Sequence, residues 1–291
     1  MTIWGCIVIF KNAMSFKAKI NQIAKEKGIP AQQVQQNYLI EIFLEKLARS
    51  KYRDNFIIKG GYLIGGMIGL DLRATMDLDT TIVGIELSSE NLYSIAEEIV
   101  KVQTEESFHL SVLGVENIRE KDQYPGLKIK LIANFERIHE VVTIDVTTGD
   151  AITPKEIDFK FEKMFSNEEI QVWSYPIENV LAEKLETILS RGIATTRPRD
   201  FYDVFILSSV RSNKIDYVIL GKALENTKEK RRSTFDLKDH DSILSEIQLS
   251  DFQQQLWIKY QNQYPYAKEV SFDSVIHSIA KLISKFYEND H

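Results

Sequence analysis

The stretch Phe56-Ile57-Ile58-Lys59-Gly60-Gly61, followed by Thr75-Met76-Asp77-Leu78-Asp79-Thr80-Thr81-Ile82-Val83, decides how this chain is read. A run of β-favouring side chains leads into a double glycine. A short helical segment follows, and two carboxylates then open a second apolar run. Side chains i and i+2 of an extended segment project to one face, so Asp77 and Asp79 aim four oxygens at one point while Met76 and Leu78 take the other side. Hard divalent cations that serve nucleotide phosphates want that donor set, and Mg²⁺ is held by one or two carboxylates plus phosphate oxygens. Taken alone, Asp-x-Asp is a generic pattern whose bland reading is a solvated acidic turn. The context raises the sharper reading: the pair lies at a strand, and glycines before it let backbone approach a phosphate.

At 291 residues the chain is long enough for one large domain or two ordinary ones. Its 44% hydrophobic and 27% charged content is that of a soluble globular protein. Thirty-six Lys plus Arg against 42 Asp plus Glu leave a net charge of −6, so any nucleic-acid contact has to be a local patch. A single cysteine, Cys6, excludes an intramolecular disulfide and a cysteine-based zinc site, which fits a reducing cytoplasm. Ile3–Phe10 is apolar but too short to span a bilayer, and it lacks the basic lead of a signal peptide. Met14 directly precedes a clean helical pattern. One reading starts translation there and makes residues 1–13 an upstream extension; the other makes them an N-terminal edge strand.

Ser15 is the expected N-cap of a first helix that ends at Lys27-Gly28. Ile29-Pro30-Ala31 starts another, and Tyr38 to Leu47 marks a third, strongly buried segment. Ile23 to Pro30 mimics the opening of a helix-turn-helix DNA reader, although no Arg or Lys follows the turn until Lys46. Leu87 to Val102 reads as a helix with the stripe Leu92, Ile95, Ala96, Ile99 and Val100. Strand-like alternation follows at Phe108–Val115, Gly126–Ala133 and Val141–Val146, the middle one placing Leu127, Ile129 and Leu131 inward and Lys128 and Lys130 outward. Consecutive strands without helices between them suggest antiparallel additions to a mixed sheet. A polar segment, Lys155–Glu169, leads to a short strand at Ile170–Tyr175, and a mostly helical pattern runs from Ile177. The boundary between domains is expected near residues 150–175.

Three further residues break their local pattern. Asp145, in Val141-Val142-Thr143-Ile144-Asp145-Val146, shares a face with Thr143 and Thr147; that face is either solvated or brings a third carboxylate to Asp77 and Asp79. Lys184 falls inside the apolar face formed by Ile177, Val180, Leu181, Leu185, Ile188 and Leu189, while Glu183 and Glu186 take the polar side. Such a lysine either snorkels outward or points into a cleft with a charged partner such as a triphosphate. Asp200 and Asp203 lie on a helix that is apolar nearly all round. Asp200 can serve as a cap, but Asp203 needs a cation, with Lys184, Arg197 and Arg199 as candidates.

In order along the chain, Lys59-Gly60-Gly61, Arg73-Ala74-Thr75-Met76-Asp77-Leu78-Asp79, Ile144-Asp145-Val146, and Glu183-Lys184-Leu185 with Arg199-Asp200-Phe201-Tyr202-Asp203 resemble the AbiEii/AbiGii family of nucleotidyltransferase-like toxins. The resemblance runs from about Met14 to about Arg232. It implies an α+β, polymerase-β-like nucleotidyltransferase fold: a mixed sheet with N-terminal helices at residues 14–150, then a mainly helical domain at 170–291 that completes the active site. It further implies a cytoplasmic toxin of a toxin–antitoxin or phage abortive-infection system, which transfers NMP from an NTP to the 3′ end of tRNA. Its antitoxin would be encoded nearby and need not bind directly. Carried over by position, Asp77 and Asp79 hold Mg²⁺ or Mn²⁺ with Asp145 as third carboxylate, and Asp200 completes the constellation. Lys59, Gly60, Gly61, Thr75 and Lys184 serve the nucleotide. The family's glycine pair usually stands about ten residues before Asp-x-Asp, a spacing met by Gly65-Gly66, whereas Gly60-Gly61 directly follows the strand. Lys228, Lys230, Arg231 and Arg232 form the dense basic cluster, either an RNA contact or a solvated helix end. Two alternatives remain: nucleotidyl transfer to a protein or small molecule, and a non-catalytic regulatory or DNA-binding partner.

Overall fold

A computed structural model describes residues 10–118 and 126–288. The chain divides into two compact units, one of residues 1–149 with 157–174 and one of 150–156 with 175–291.

The first unit opens with helix α1 (Ala13–Lys27). Its N-cap is Asn12 rather than the expected Ser15: Asn12 Oδ1 accepts from the Ser15 N–H at 2.8 Å, and Ser15 Oγ accepts from the Asn12 N–H at 3.3 Å. Ser15 is thus the reciprocal member of a capping box. Phe10 is buried and packs edge-on against Phe16, Tyr38 and Phe165. Of the expected extension at 1–13, residues 1–9 lie outside the described residues.

The two helical segments expected after Pro30 are one helix, α2 (Ala31–Ala48), buried on most of its circumference from Val34 onward. Gln36 Nε2 donates to the Val141 carbonyl at 3.1 Å and Asn37 Nδ2 to the Thr75 carbonyl at 2.8 Å. A helix spent inside the core cannot enter a DNA groove, and the helix-turn-helix reading is corrected accordingly.

Strand β1 (Phe56–Lys59), helix α3 (Gly60–Ile68), strand β2 (Leu78–Ile82) and helix α4 (Ser89–Val100) follow. The whole predicted stripe of α4 is buried. Strands β3 (His109–Ile118), β4 (Gly126–Phe135) and β5 (Ile138–Thr148) form an antiparallel meander, as the uninterrupted strand patterns suggested. The polar segment after residue 155 contains a strand not foreseen, β6 (Ile157–Glu162), which makes a hairpin with β7 (Glu169–Ser174). Because β7 pairs in parallel with β1, this hairpin belongs to the sheet. The expected start of the helical domain at residue 170 therefore moves to Tyr175.

The seven strands lie in the order β3-β4-β5-β2-β1-β7-β6. Leu127, Ile129, Leu131, Ile144, Val146, Leu78 and Ile58 are buried on one face. The opposite face at the centre of the sheet carries the polar side chains described below.

The second unit is helical: α5 (Ile177–Arg191), α6 (Pro198–Val210), α7 (Tyr217–Arg231), α8 (His240–Leu249), α9 (Asp251–Gln263) and α10 (Phe272–Glu288). Residues 150–156 are tied to it by Asn179, whose amide nitrogen donates to the Ala151 carbonyl at 2.7 Å and whose oxygen accepts from the Thr153 N–H.

Candidate active site

Four charged residues occupy one cross-strand row at the centre of the sheet. Lys59 of β1 stands opposite Asp79 of β2, Asp79 opposite Asp145 of β5, and Asp145 opposite Lys128 of β4. Directly paired residues share a face, so the row reads plus, minus, minus, plus across four strands. Asp77, one residue before β2, joins it: its Oδ1 accepts from Thr143 Oγ1 at 2.6 Å, and Thr143 is Asp145's neighbour on the same face. Lys59 Nζ donates to Thr147 Oγ1 at 2.8 Å.

The glycines fix the approach to this row. Gly60 has φ +65°, a conformation that L side chains rarely adopt, and a Cβ there would overlap the Asp79 carboxylate. A Cβ on Gly61 would stand 3.0 Å from Thr75 Oγ1 and 2.9 Å from the Arg73 guanidinium. Gly65 faces the Arg73 carbonyl and Gly66 the Phe161 ring. Of the two candidate pairs, Gly60-Gly61 is the one placed beside Asp79 and Thr75.

Asp145 lies between two charges of opposite effect. Burial raises its pKa most, the Lys128 ammonium lowers it, and Asp79 and Asp77 raise it further, for a net upward shift. Its Oδ1 is buried and accepts no hydrogen bond; Lys128 Nζ stands 3.1 Å away as an ion pair without hydrogen-bond geometry. A hard cation takes oxygen donors, and this face offers it the carboxylates of Asp77, Asp79 and Asp145. Among the described residues, no three His, Cys, Asp or Glu side chains converge on one metal-binding point. Asp77 accepts from Thr143, and Asp145 pairs with Lys128.

The helical unit carries its own charged cluster. Lys184 Nζ lies 2.5 Å from Asp200 Oδ1 and 2.9 Å from Asp203 Oδ2, and both carboxylates are buried. Arg197 Nε pairs with Asp200 Oδ2 at 2.8 Å. The expectation that Asp203 needs a cation is met by Lys184. Asp200 is not the cap of α6, whose N-cap position is Arg197 with Pro198 following. Glu186, expected on a polar side, is instead 3% exposed and paired to Arg231 and Ser233. Arg231 is thereby committed within the fold, and Lys228 lies over the Phe235 ring. The basic cluster at 228–232 is therefore not simply a solvated helix end.

Sequence reasoning did not single out Lys128 or Thr143 as site residues. Both were visible as outward positions of alternating strands, but only the register places them on the carboxylates. A cavity of about 420 Å³, lined by Lys46, Lys101, Ser107 and His109 among others, holds none of the expected site residues. Among the described residues, the carboxylate face is preferred as the site because it combines paired acids with a glycine approach. No described helix is long and apolar enough to cross a membrane.

Comparison with known proteins gives one family match. The model of "Nucleotidyl transferase AbiEii toxin, Type IV TA system" matches residues 42–278. Among solved structures, JHP933 from Helicobacter pylori aligns at TM-score 0.49 and 14% identity, covering 89% of this chain and 95% of that one. An antigenic nucleotidyltransferase-like protein from Paracoccidioides brasiliensis aligns at TM-score 0.42 and 16% identity, covering 72% and 92%. No curated protein matches the sequence.

Proposed function

From the premise that this chain belongs to the AbiEii family of nucleotidyl transferase toxins of type IV toxin–antitoxin systems, we propose that it transfers a nucleoside monophosphate from an NTP to the 3′ end of a tRNA in a Mg²⁺- or Mn²⁺-dependent reaction. As a family member it is a nucleotidyltransferase with an NTP substrate, and its system includes an antitoxin. The tRNA acceptor, the metal dependence, the role in phage defence and a cytoplasmic location are parts of the proposal.

The observation that carries the reading is the register of Asp79 against Asp145, with Asp77 two residues before Asp79 and Gly60 packed against the Asp79 carboxylate. Asp77, Asp79 and Asp145 would hold the divalent cation, which when bound neutralises charge on the phosphate oxygens. The acceptor's 3′ oxygen attacks the α-phosphorus, the bond to the bridging oxygen breaks, and pyrophosphate leaves. Asp145, beside Asp79 in register, is assigned to take the proton of the attacking hydroxyl. Gly60 and Gly61 let backbone approach the nucleotide beside Thr75, while Lys59 supplies positive charge. Lys184 is assigned to the triphosphate, held in place by Asp200 and Asp203. Catalysis then comes from positioning and charge neutralisation.

The test is incubation of the purified protein with Mg²⁺, total tRNA and each labelled NTP in turn, beside Asp79→Ala. Label entering tRNA with wild type and absent with the folded variant is the expected result. Label appearing in protein would replace the acceptor, and equal labelling by Asp79→Ala would remove the mechanism.

A further inference from the structure

The row Lys59–Asp79–Asp145–Lys128 sets two carboxylates side by side on neighbouring strands, where like charges directly opposite are destabilising. Something has to offset that repulsion before a metal arrives. Lys128 is placed to do so. It faces Asp145 in register, its Nζ lies 3.1 Å from Asp145 Oδ1, and both side chains are largely shielded, at 25% and 22% exposure.

The pairing is selective. Glu116 of β3 is Lys128's register partner on its other side and would compete for the ammonium. Glu116 is engaged instead by Lys130, at 2.6 Å. Lys130 thus serves Glu116, and Lys128 is left to Asp145. The oxygen that Lys128 approaches is the buried one that accepts no hydrogen bond, so the ammonium stands against the donor that a hard cation would use.

We infer that Lys128 is a built-in counter-ion that holds the Asp79–Asp145 pair in the metal-free protein and has to leave Asp145 when a divalent cation binds. Lys128 is a positioning residue, and metal and ammonium compete for one carboxylate. The inference rests on the metal-binding reading given above, and it adds that metal affinity is set lower than the carboxylates alone would give. Competition of this kind is a coupling between two ligands of one site, and removing one tightens the other.

The experiment is calorimetric titration of the full-length protein with Mn²⁺ alone, without nucleotide. Wild type, Lys128→Met, Lys130→Met and Asp79→Asn are compared, with thermal unfolding of each measured with and without Mn²⁺. Lys128→Met keeps the aliphatic stem while removing the charge. It is expected to bind Mn²⁺ about tenfold tighter than wild type, an effect within the usual range of coupling between sites. Its metal-free Tm falls, and saturating Mn²⁺ restores it. Lys130→Met shifts neither quantity, and Asp79→Asn loses binding. Equal or weaker Mn²⁺ binding by Lys128→Met, with binding lost in Asp79→Asn, overturns the displacement but leaves the metal site standing. Binding unaffected by Asp79→Asn, or undetectable in every variant, overturns the metal-site reading and the inference with it.

Discussion

Asp79 and Asp145 stand directly opposite each other in the parallel ladder between β2 and β5. The pairing joins residues far apart in sequence, and it turns a generic Asp-x-Asp into a carboxylate cluster on one sheet face. Gly60 reaches the same point from β1, so the start of α3, the end of β1 and the two acids are fixed together.

Gly60→Ala tests that arrangement. The added methyl would overlap the Asp79 carboxylate, and φ +65° disfavours any L side chain. The backbone cost is about 1–2 kcal/mol, and moving Asp79 by roughly 1 Å is expected to cost about a hundredfold in transfer rate. Gly28→Ala is the control, since Gly28 has φ +67° with nothing near its would-be Cβ. Urea unfolding should show similar losses for both variants, and only Gly60→Ala should lose nucleotide incorporation. Equal activity in the two would mean that the close approach to Asp79 does not matter.

What the sequence made legible was local. The α4 stripe and the in-out alternation of β4 are patterns contained in one element, and burial follows them residue by residue. The carboxylates of the site could be nominated as anomalies, but their convergence depends on strand register, which no local pattern carries. Strand β6 was missed because Asp158, Lys160 and Glu162 give it the composition of a loop, and its place depends on β7 finding β1. Glu186 was misread for a similar reason. Periodicity put it on a polar face, and its partner Arg231 comes from α7, 45 residues later in the chain. The first cap is Asn12, three residues before the expected Ser15, and the capping box uses the two together.

A buried acidic cluster under the β6–β7 turn gives the protein a pH-dependent stability. Glu41 is 5% exposed and its pKa is pushed up to about 8, chiefly by burial. The Met164 N–H, which donates to Glu41 at 2.7 Å, lowers it, Glu106 raises it, Lys163 lowers it and Glu45 raises it. Tyr38 also faces the cluster, donating to Glu106 at 2.6 Å, and Lys163 pairs with Glu45, Glu106 and Glu168. The folded-state pKa lies above the unfolded value of 4.5, so the folded chain binds the proton more tightly. That contribution is fully present below pH 4.5 and is lost as pH rises through 8. Glu41→Gln keeps an oxygen for the Met164 N–H without the charge. Urea unfolding at a series of pH values should find the variant more stable than wild type at alkaline pH, by something on the order of a few kcal/mol, with the gap closing toward acid. A gap that stays constant with pH would assign the difference to packing instead.

Arg231 separates a structural role from an RNA-binding one. Burial works against its charge, but Glu183 and Glu186 outweigh that, and its pKa is raised. Its Nη1 donates to Glu186 at 2.5 Å and to Thr187 Oγ1 at 3.0 Å, which locks α7 onto α5. Arg231→Ala leaves the buried Glu186 carboxylate without its cation, and breaking such a pair typically costs about 3–5 kcal/mol. Arg231→Lys restores the charge but not the forked geometry, so its stability should fall between the two. If Arg231 were a phosphate contact, truncating it would reduce the salt dependence of tRNA binding by about one released counterion. The expectation here is a large loss of stability with an unchanged salt slope, read from binding titrations over a range of KCl concentrations at a temperature where Arg231→Ala remains folded. A reduced slope with little change in stability would return Arg231 to the RNA-facing surface.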